Sequence, residues 1–374
     1  MIIDISDKTF KSIFDDENLF LPLKWDGINF SSTLEKLYNH YINKLEKLSN
    51  EQDFNRIRVD IYNVKSVCGL IRNSIKYYLD GFPSKAYNSF DKAIRILMQN
   101  QLRIYQKSTS ENIENIKDDL DLYRVVCVLE NTPYNRSRVF HTPYTLRSKV
   151  STNRYSIAGY PSLYLATNID LCCEEIHYNP HTNLALAAKY KIERNENYNN
   201  THISVIELAV KPQDFFEERN DNEYRQRYFD QSLDTAKVKS AYLLWYPLIA
   251  ACSYIRPNKS DPFAAEYIIP QLLMQWVRIE IANQRYGRDQ LIGIRYFSCA
   301  SIKASDMGFN YVFPVSGKQK SSEYPYCPVL MKAFKLTKPH FLSEYYDMRE
   351  CERDLRNDYD MNFIDSWLFY TKEG

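Results

Sequence analysis

A chain of 374 residues is long enough for two or three domains, and 44% hydrophobic with 25% charged residues is typical of a globular protein. The formal net charge of +1 argues against nucleic acid or an anionic membrane as a partner. The longest apolar stretch, residues 241–255, is shorter than the roughly 20 residues that span a bilayer. Eight scattered cysteines lack zinc-ligand spacing, and the acidic N-terminus lacks a signal-peptide pattern. We therefore expect a cytoplasmic protein with free thiols and no metal site.

Residues 1–107 predict a helical bundle after an irregular first 30 residues. Apolar residues recur at helical spacing in three segments, which begin near residues 31, 54 and 84. His40 is the only histidine of this region, and no nuclease-like arginine–histidine pair accompanies it. We expect the bundle to bind a partner or to regulate the rest of the chain. The polar residues 108–120 predict a linker.

Residues 121–340 predict a second domain that is rich in β-strands. Two helices, at about 235–255 and 269–283, interrupt the strands, and Pro247 is expected to kink or break the first of them. We predict an α+β fold with mainly antiparallel strands and inserted helices, followed by a C-terminal helical extension over 341–374. The predicted strands are 121–129, a short strand around Tyr164, 184–192, 203–211, 290–298, 310–315 and 329–336.

The stretch from residue 154 to residue 175 combines a turn, a strand and a helix. Gly159 and Pro161 indicate the turn, and alternating apolar residues indicate a strand through Tyr164. Thr167 or Asn168 can cap a helix that ends at two adjacent glutamates. A strand followed by a helix brings an arginine, a tyrosine and a glutamate to neighbouring ends of two elements, which is typical of an anionic-ligand site.

Several polar residues have a structural and a functional interpretation. Arg124, inside a predicted strand, forms either a core salt bridge or part of a cleft, and with Arg154 it could fork onto a pyrophosphate. Glu174 and Glu175 form either a solvated face or a carboxylate that stabilises a cationic sugar transition state. Tyr164 suits a core as well as a ligand pocket, and Ser298 is either a site hydroxyl or a strand-end residue without a role. Three histidines lack the carboxylate spacing of a metal site, namely His141, His177 and His181.

The order and spacing of these residues resemble the RES-domain family, which is named for its Arg, Glu and Ser. The resemblance covers roughly residues 121–316, over half of the chain. Three departures are the triplet Arg154-Tyr155-Ser156 in place of Arg-Trp-Asn, Phe297 in place of a proline, and the doubled glutamate, where spacing favours Glu175. The matching positions, in chain order, are Tyr123-Arg124, Arg154-Tyr155, Tyr164, Glu175 eleven residues later, Gly293-Ile294, Ser298 and Asn310.

The resemblance implies an ADP-ribosyltransferase-like fold that binds NAD as its substrate and cleaves the nicotinamide–ribose bond without a metal. Many members of the family are bacterial toxins of toxin–antitoxin pairs that deplete NAD by hydrolysis or phosphorolysis. The implied partners are therefore NAD, inorganic phosphate and a cognate antitoxin protein. The resemblance implies Glu175, Arg124 and Ser298 as catalytic residues. The implied NAD-binding residues are Arg124, Arg154, Tyr155, Tyr164 and Asn310.

Two alternatives stay open from the sequence. The same site could transfer ADP-ribose to a macromolecule instead of to water or phosphate. The chain could also be a non-catalytic interaction protein that retains a degenerate RES-like domain.

Overall fold

The structure is a computed structural model, and it describes residues 5–48, 60–99, 103–106, 120–129, 135–192, 202–215, 235–283, 289–315, 325–358 and 360–361. The chain folds into two compact units, each built from two segments. The first unit contains Met1–Ile104 and Val210–Trp276, and the second contains Tyr105–Ala209 and Val277–Gly374. The predicted linker lies outside the described residues except for Leu120.

The described residues form ten α-helices and nine β-strands. No described helix combines the length and the apolar character that a membrane span requires. The helices are α1 (Ile5–Phe14), α2 (Phe30–Leu48), α3 (Ile61–Leu79), α4 (Pro83–Gln99), α5 (Arg136–Val139), α6 (Ile169–Glu175), α7 (Thr235–Ala251), α8 (Ile268–Asn283), α9 (Pro328–Ala333) and α10 (Met348–Asn357). The strands are β1 (Arg103–Gln106), β2 (Leu122–Val128), β3 (Ser162–Ala166), β4 (Leu184–Ile192), β5 (His202–Leu208), β6 (Asp289–Phe297), β7 (Phe309–Pro314), β8 (Phe334–Leu336) and β9 (His340–Phe341).

The first unit contains the predicted N-terminal helices and one helix that the sequence did not suggest. The first 30 residues were expected to be irregular, but α1 forms within them. Phe10, Ile13 and Phe14 share one face of α1 and are fully buried. The ring of Phe14 packs edge-on against Tyr242 of α7, with their centroids 5.8 Å apart. The burial of three large apolar side chains against other helices stabilises a segment whose own helical pattern is short.

Helix α7 continues through Pro247 because a side chain replaces the hydrogen bond that the proline removes. A proline has no N–H, so the carbonyl of Leu243, four residues earlier, loses its partner within the helix. The hydroxyl of Tyr41 donates to that carbonyl at 2.8 Å. Of the expected kink or break at Pro247, the break does not occur, since α7 is helical from Thr235 to Ala251.

The predicted continuous domain over 121–340 differs from the observed units. Residues 210–276 belong with the N-terminal helices instead of with the sheet. Helix α7 is apolar on nearly every side, with Leu243, Trp245 and Leu248 fully buried. A helix that is apolar on every side must be covered by other elements on every side, and α3 is one of the elements that pack against α7.

The second unit is organised around a mostly antiparallel sheet with the strand order β1-β5-β6-β7-β3-β2-β4-β8, and β9 pairs with β4. The pair β5–β6 is parallel. The prediction of a strand over 329–336 was wrong for its first part, because Pro328 begins helix α9 and only three residues, Phe334–Leu336, form β8. The fold is thus mixed α and β with a mostly antiparallel sheet and an N-terminal helical region.

The sheet separates two hydrophobic clusters of the second unit. On one face, Tyr123, Val125 and Ala166 pack with residues of α6, including Ile169 and Leu171. Alternate residues of the same strands pack on the other face with α9, where the buried side chains include Leu122, Leu163, Leu165, Tyr311, Phe313 and Leu330. Strand alternation therefore decides which side chains of β2, β3, β6 and β7 share a face with α6.

Candidate active site

Helix α6 is held against β7 by hydrogen bonds at its N-terminus. Asn168 is its N-cap and accepts a hydrogen bond from the backbone N–H of Leu171 at 2.7 Å. The side-chain amide of Asn168 donates to the carbonyl of Met307 at 2.6 Å, and the N–H of Phe309 donates to the hydroxyl of Thr167 at 3.0 Å. The predicted cap is confirmed, and it also fixes α6 relative to the loop between β6 and β7.

The loop that meets this cap requires a glycine at residue 308. Gly308 has a φ of +146°, a backbone conformation that other residues rarely adopt. A Cβ atom there would lie 2.4 Å from the hydroxyl oxygen of Thr167 and 2.7 Å from the amide nitrogen of Asn168. The absence of a side chain allows the loop to approach the cap closely enough to hydrogen-bond it.

The last residue of α6 places a carboxylate beside β7. The side-chain amide of Asn310 donates to Oε1 of Glu175 at 2.6 Å. Asn310 is only 3% exposed, whereas Glu175 is exposed to solvent. This hydrogen bond is made by Glu175 and not by the neighbouring Glu174. The structure therefore distinguishes the two candidate glutamates by their contacts.

Tyr296 marks the position at which several predicted site residues meet. It is the neighbour of Asn310 in the β6–β7 register and is almost fully buried. Burial raises the pKa of Tyr296 well above its usual value, and the negative charge of Glu175 and the nearby phenols raise it further, while Arg154 lowers it. These electrostatic interactions place Glu175 and Arg154 around the same side chain. The sequence did not suggest Tyr296 as part of the site.

Arg154 and Tyr155 are the central residues of a tight turn. The backbone groups of Asn153 and Ser156 close this turn with two hydrogen bonds, at 2.9 and 3.1 Å. The ring of Tyr155 is buried, with its centroid 4.7 Å from that of Tyr296. Tyr155 therefore anchors the turn through packing, which holds the largely buried Arg154 near the end of β6.

Ser156 connects this turn to β3. Its hydroxyl lies 2.7 Å from the phenol oxygen of Tyr164 and donates to the hydroxyl of Ser162 at 3.0 Å. Ser156 is one of the positions at which the chain departs from the RES pattern, and the sequence did not indicate its contacts. The one feature of the sequence that could have indicated a role for Ser156 was its position directly after Arg154 and Tyr155.

Arg124 lies where strands β2 and β3 move apart in the sheet. Strand β2 pairs with β4 over all seven of its residues, but with β3 only through Tyr123 and Ala166. Beyond that pair, Nη1 of Arg124 donates to the carbonyl of Tyr164 at 3.1 Å, and its Nε is buried without a hydrogen-bond partner. Strand alternation places Arg124 on the sheet face that lies away from α6. A ligand beside Glu175 would therefore contact Arg124 only through the gap between β2 and β3, where the two strands are not paired.

Ser298 does not face solvent. It is fully buried just after β6, and its hydroxyl oxygen accepts a hydrogen bond from the N–H of Ala300 at 3.1 Å. This contact stabilises the turn that follows β6. The described structure thus places Arg154, Tyr155, Tyr164, Glu175 and Asn310 around one region, with Arg124 behind the gap and Ser298 beneath the surface.

The described residues contain no group of three or more His, Cys, Asp or Glu side chains that could hold a metal ion. His141, one of the histidines considered above, has an internal role. Its ring is fully buried and accepts a hydrogen bond from the N–H of Cys327 through Nε2 at 2.9 Å. The candidate active site itself contains a carboxylate held by an amide, with arginine and tyrosine side chains nearby.

The fold and these contacts define a mixed α/β protein with an exposed, oriented carboxylate at the end of a helix that packs on the sheet. The chain is similar to a Bacillus subtilis (strain 168) protein named "Putative toxin YopC", with 28% identity over 323 residues. The match covers 84% of this chain and 66% of that protein, so the chain spans slightly less than two thirds of its relative's length. No protein-family model matches the chain, and no solved structure matches it. The similarity supports a relationship to a toxin-like protein.

Proposed function

We propose that the chain is a toxin of the RES type that consumes NAD by cleaving the bond between nicotinamide and ribose. One observation carries this proposal: Glu175, which lies eleven residues after Tyr164 as in the RES pattern, is oriented by Asn310 in the same region as Arg154. The toxin-like name of the Bacillus subtilis relative supports the biological role. The NAD-cleaving chemistry is supported by the residues and their geometry.

Glu175 would stabilise the positive charge that develops on the ribose as the bond breaks. Nicotinamide leaves as a neutral molecule, so the reaction needs electrostatic stabilisation and positioning more than a general acid. The hydrogen bond from Asn310 fixes one carboxylate oxygen at 2.6 Å. The other oxygen can then face the ribose without a cost of reorganisation.

The arginines would bind the two phosphates of NAD. Guanidinium groups offer paired N–H donors that match phosphate oxygens. Arg154 lies in a turn that Tyr155 anchors, so its position is fixed before a ligand binds. Arg124 has a buried Nε without a hydrogen-bond partner at the gap between β2 and β3, which would suit a phosphate that enters this gap. Tyr164 would line the pocket of the nicotinamide ribose.

The direct test is nicotinamide release from NAD by the purified full-length protein, with Glu175→Gln compared with Glu174→Gln. The first variant keeps the shape of the side chain and removes the charge, so we expect a loss of roughly 10²–10³-fold or more in turnover with NAD binding largely retained. The second variant removes the same charge one residue away and should retain activity. Equal activity of both variants with the wild type would refute the assigned role of Glu175.

The products identify the acceptor. ADP-ribose 1-phosphate that forms only when inorganic phosphate is present indicates phosphorolysis, and free ADP-ribose indicates hydrolysis. Label from NAD on protein or nucleic acid in a lysate would support the transferase alternative. If the wild type consumed no NAD and labelled no macromolecule, the proposed function would be rejected.

A further inference from the structure

Two arginines of the second unit converge on the ring of Tyr160. The guanidinium carbon of Arg278 lies 4.5 Å from the centroid of this ring, and that of Arg147 lies 5.8 Å from it. Arg147 also stacks on Tyr144, at 4.9 Å from its ring centroid. Arg147 comes from the short 3-10 segment Tyr144–Lys149 and Arg278 from α8, so parts of the chain that are distant in sequence bring two positive charges together.

No carboxylate in the described part of the chain pairs with either arginine. The Nε atom of Arg147 is buried without a hydrogen-bond partner. Burial lowers the pKa of Arg278, and the positive charge of Arg147 lowers it further, while Tyr160 and Tyr144 act in the opposite direction. Two cations held near each other without an acid destabilise the folded protein, and a bound anion would relieve this cost.

A contact between a guanidinium group and an aromatic ring does not use the N–H donors of the group, so these can serve another partner. A guanidinium that lies over an aromatic ring contacts it with its face, and its N–H donors point outward in the plane of the group. Tyr160 is 43% exposed, so a small ligand can reach its ring from solvent. Two such groups around one ring offer several converging N–H donors to an oxyanion.

We propose that Arg147, Arg278 and Tyr160 form a binding site for the phosphate group of a small molecule. The two guanidinium groups bind the phosphate oxygens. The exposed ring of Tyr160 can contact the organic group that carries the phosphate. Free inorganic phosphate and a mononucleotide share this chemistry. The site consists of residues that have no part in the candidate active site, and it does not depend on NAD cleavage.

The test measures thermal unfolding of the full-length protein in sodium phosphate against sodium chloride at equal ionic strength. A ligand that binds only the folded state raises the midpoint of unfolding as its concentration increases. We expect phosphate to raise the midpoint of the wild type, and Arg147→Gln and Arg278→Gln to lose this shift. Arg138→Gln, which removes the same charge at an exposed position of α5, should retain it. An unchanged shift in Arg278→Gln would overturn the proposal.

Further variants separate the sites and the sources of the phosphate. If Arg154→Gln abolished the shift while Arg278→Gln retained it, the phosphate would be bound at the candidate active site and the proposal would be wrong. Arg278→Lys keeps the charge without the paired donors, so at least a tenfold weaker affinity is expected for it. Isothermal titration with inorganic phosphate and with AMP then identifies the source. Binding of either one that is lost in Arg278→Gln and kept in Arg154→Gln supports the site, and binding of neither by the wild type overturns it.

Discussion

The buried His141 makes a definite prediction about the dependence of stability on pH. Because Nε2 of His141 accepts the N–H of Cys327, the ring proton lies on Nδ1, which donates to the carbonyl of Thr142 at 2.8 Å. Protonation of Nε2 would turn two N–H groups toward each other in a fully buried place. Burial lowers the pKa of His141 to about 4, from an ordinary value of 6.5, and the charge of Arg124 contributes to this lowering.

The sign of the effect follows from this lowered pKa. Above pH 6.5 the ring is neutral in both states, so the stability is fully present. As the pH falls from 6.5 toward 4, the unfolded chain binds a proton that the folded protein does not, and stability is lost. A shift of this size corresponds to about 3 kcal/mol at low pH, of which about 2 kcal/mol is lost between pH 7 and pH 5.

The assay is urea unfolding at pH 7 and pH 5, followed by tryptophan fluorescence and circular dichroism, for the wild type and His141→Gln. Other groups titrate equally in both proteins, so the difference between them isolates the histidine. The variant should lose about 2 kcal/mol less than the wild type between the two pH values. An equal loss in both proteins would refute the reasoning, and so would an NMR titration that gave His141 an ordinary pKa.

Three further predictions test the packing that positions the site and the helices. Gly308→Ala should destabilise the protein by roughly 1–3 kcal/mol in chemical denaturation, because the new methyl group meets the α6 cap in a strained conformation. Tyr41→Phe should lower the free energy of unfolding by roughly 1–3 kcal/mol, since it leaves the buried carbonyl of Leu243 in α7 unpaired. Tyr38→Phe should lower it less, because the carbonyl of Pro247, which loses the Tyr38 hydroxyl, can still accept a hydrogen bond within the helix. Arg295 and Glu207 form a buried ion pair, 3.2 Å apart and 3% and 1% exposed. Arg295→Met alone should lower the free energy of unfolding by roughly 3–5 kcal/mol, because it leaves the buried Glu207 without its partner. Adding Glu207→Leu removes that carboxylate and should recover part of the loss. A double variant less stable than the single one would contradict that last expectation.

The local part of the candidate site was predictable from the sequence because its signals are local. A turn with glycine and proline, an alternating strand and an N-cap residue precede Glu175 within about one helix and one strand. The structure confirms this order as β3, the Asn168 cap and α6. The contact between Glu175 and Asn310 follows from the pairing of Ala166 with Asn310, which places the end of β3 beside β7.

Other parts of the fold depend on contacts between distant segments, and the sequence contains no local signal for them. The apolar face of α1 is short, so its helical state is decided by the rings that cover Phe10 and Phe14. The sequence favoured a kink or a break of α7 at Pro247 because the donor that compensates for the proline lies on α2, about 200 residues away. Local propensity was overridden by tertiary contacts in both cases.

The division of each unit into two segments has a consequence for how the protein is synthesised. The N-terminal helices leave the ribosome long before residues 210–276, which complete their unit, so they cannot reach their final packing during the first part of translation. The chain also passes between the two units more than once. A gene truncated to remove residues 1–107 would therefore produce α7 with the apolar side chains that normally meet α2 and α3 uncovered. Until residues 210–276 are synthesised, the side chains of α2 and α3 that pack against α7 lack this cover.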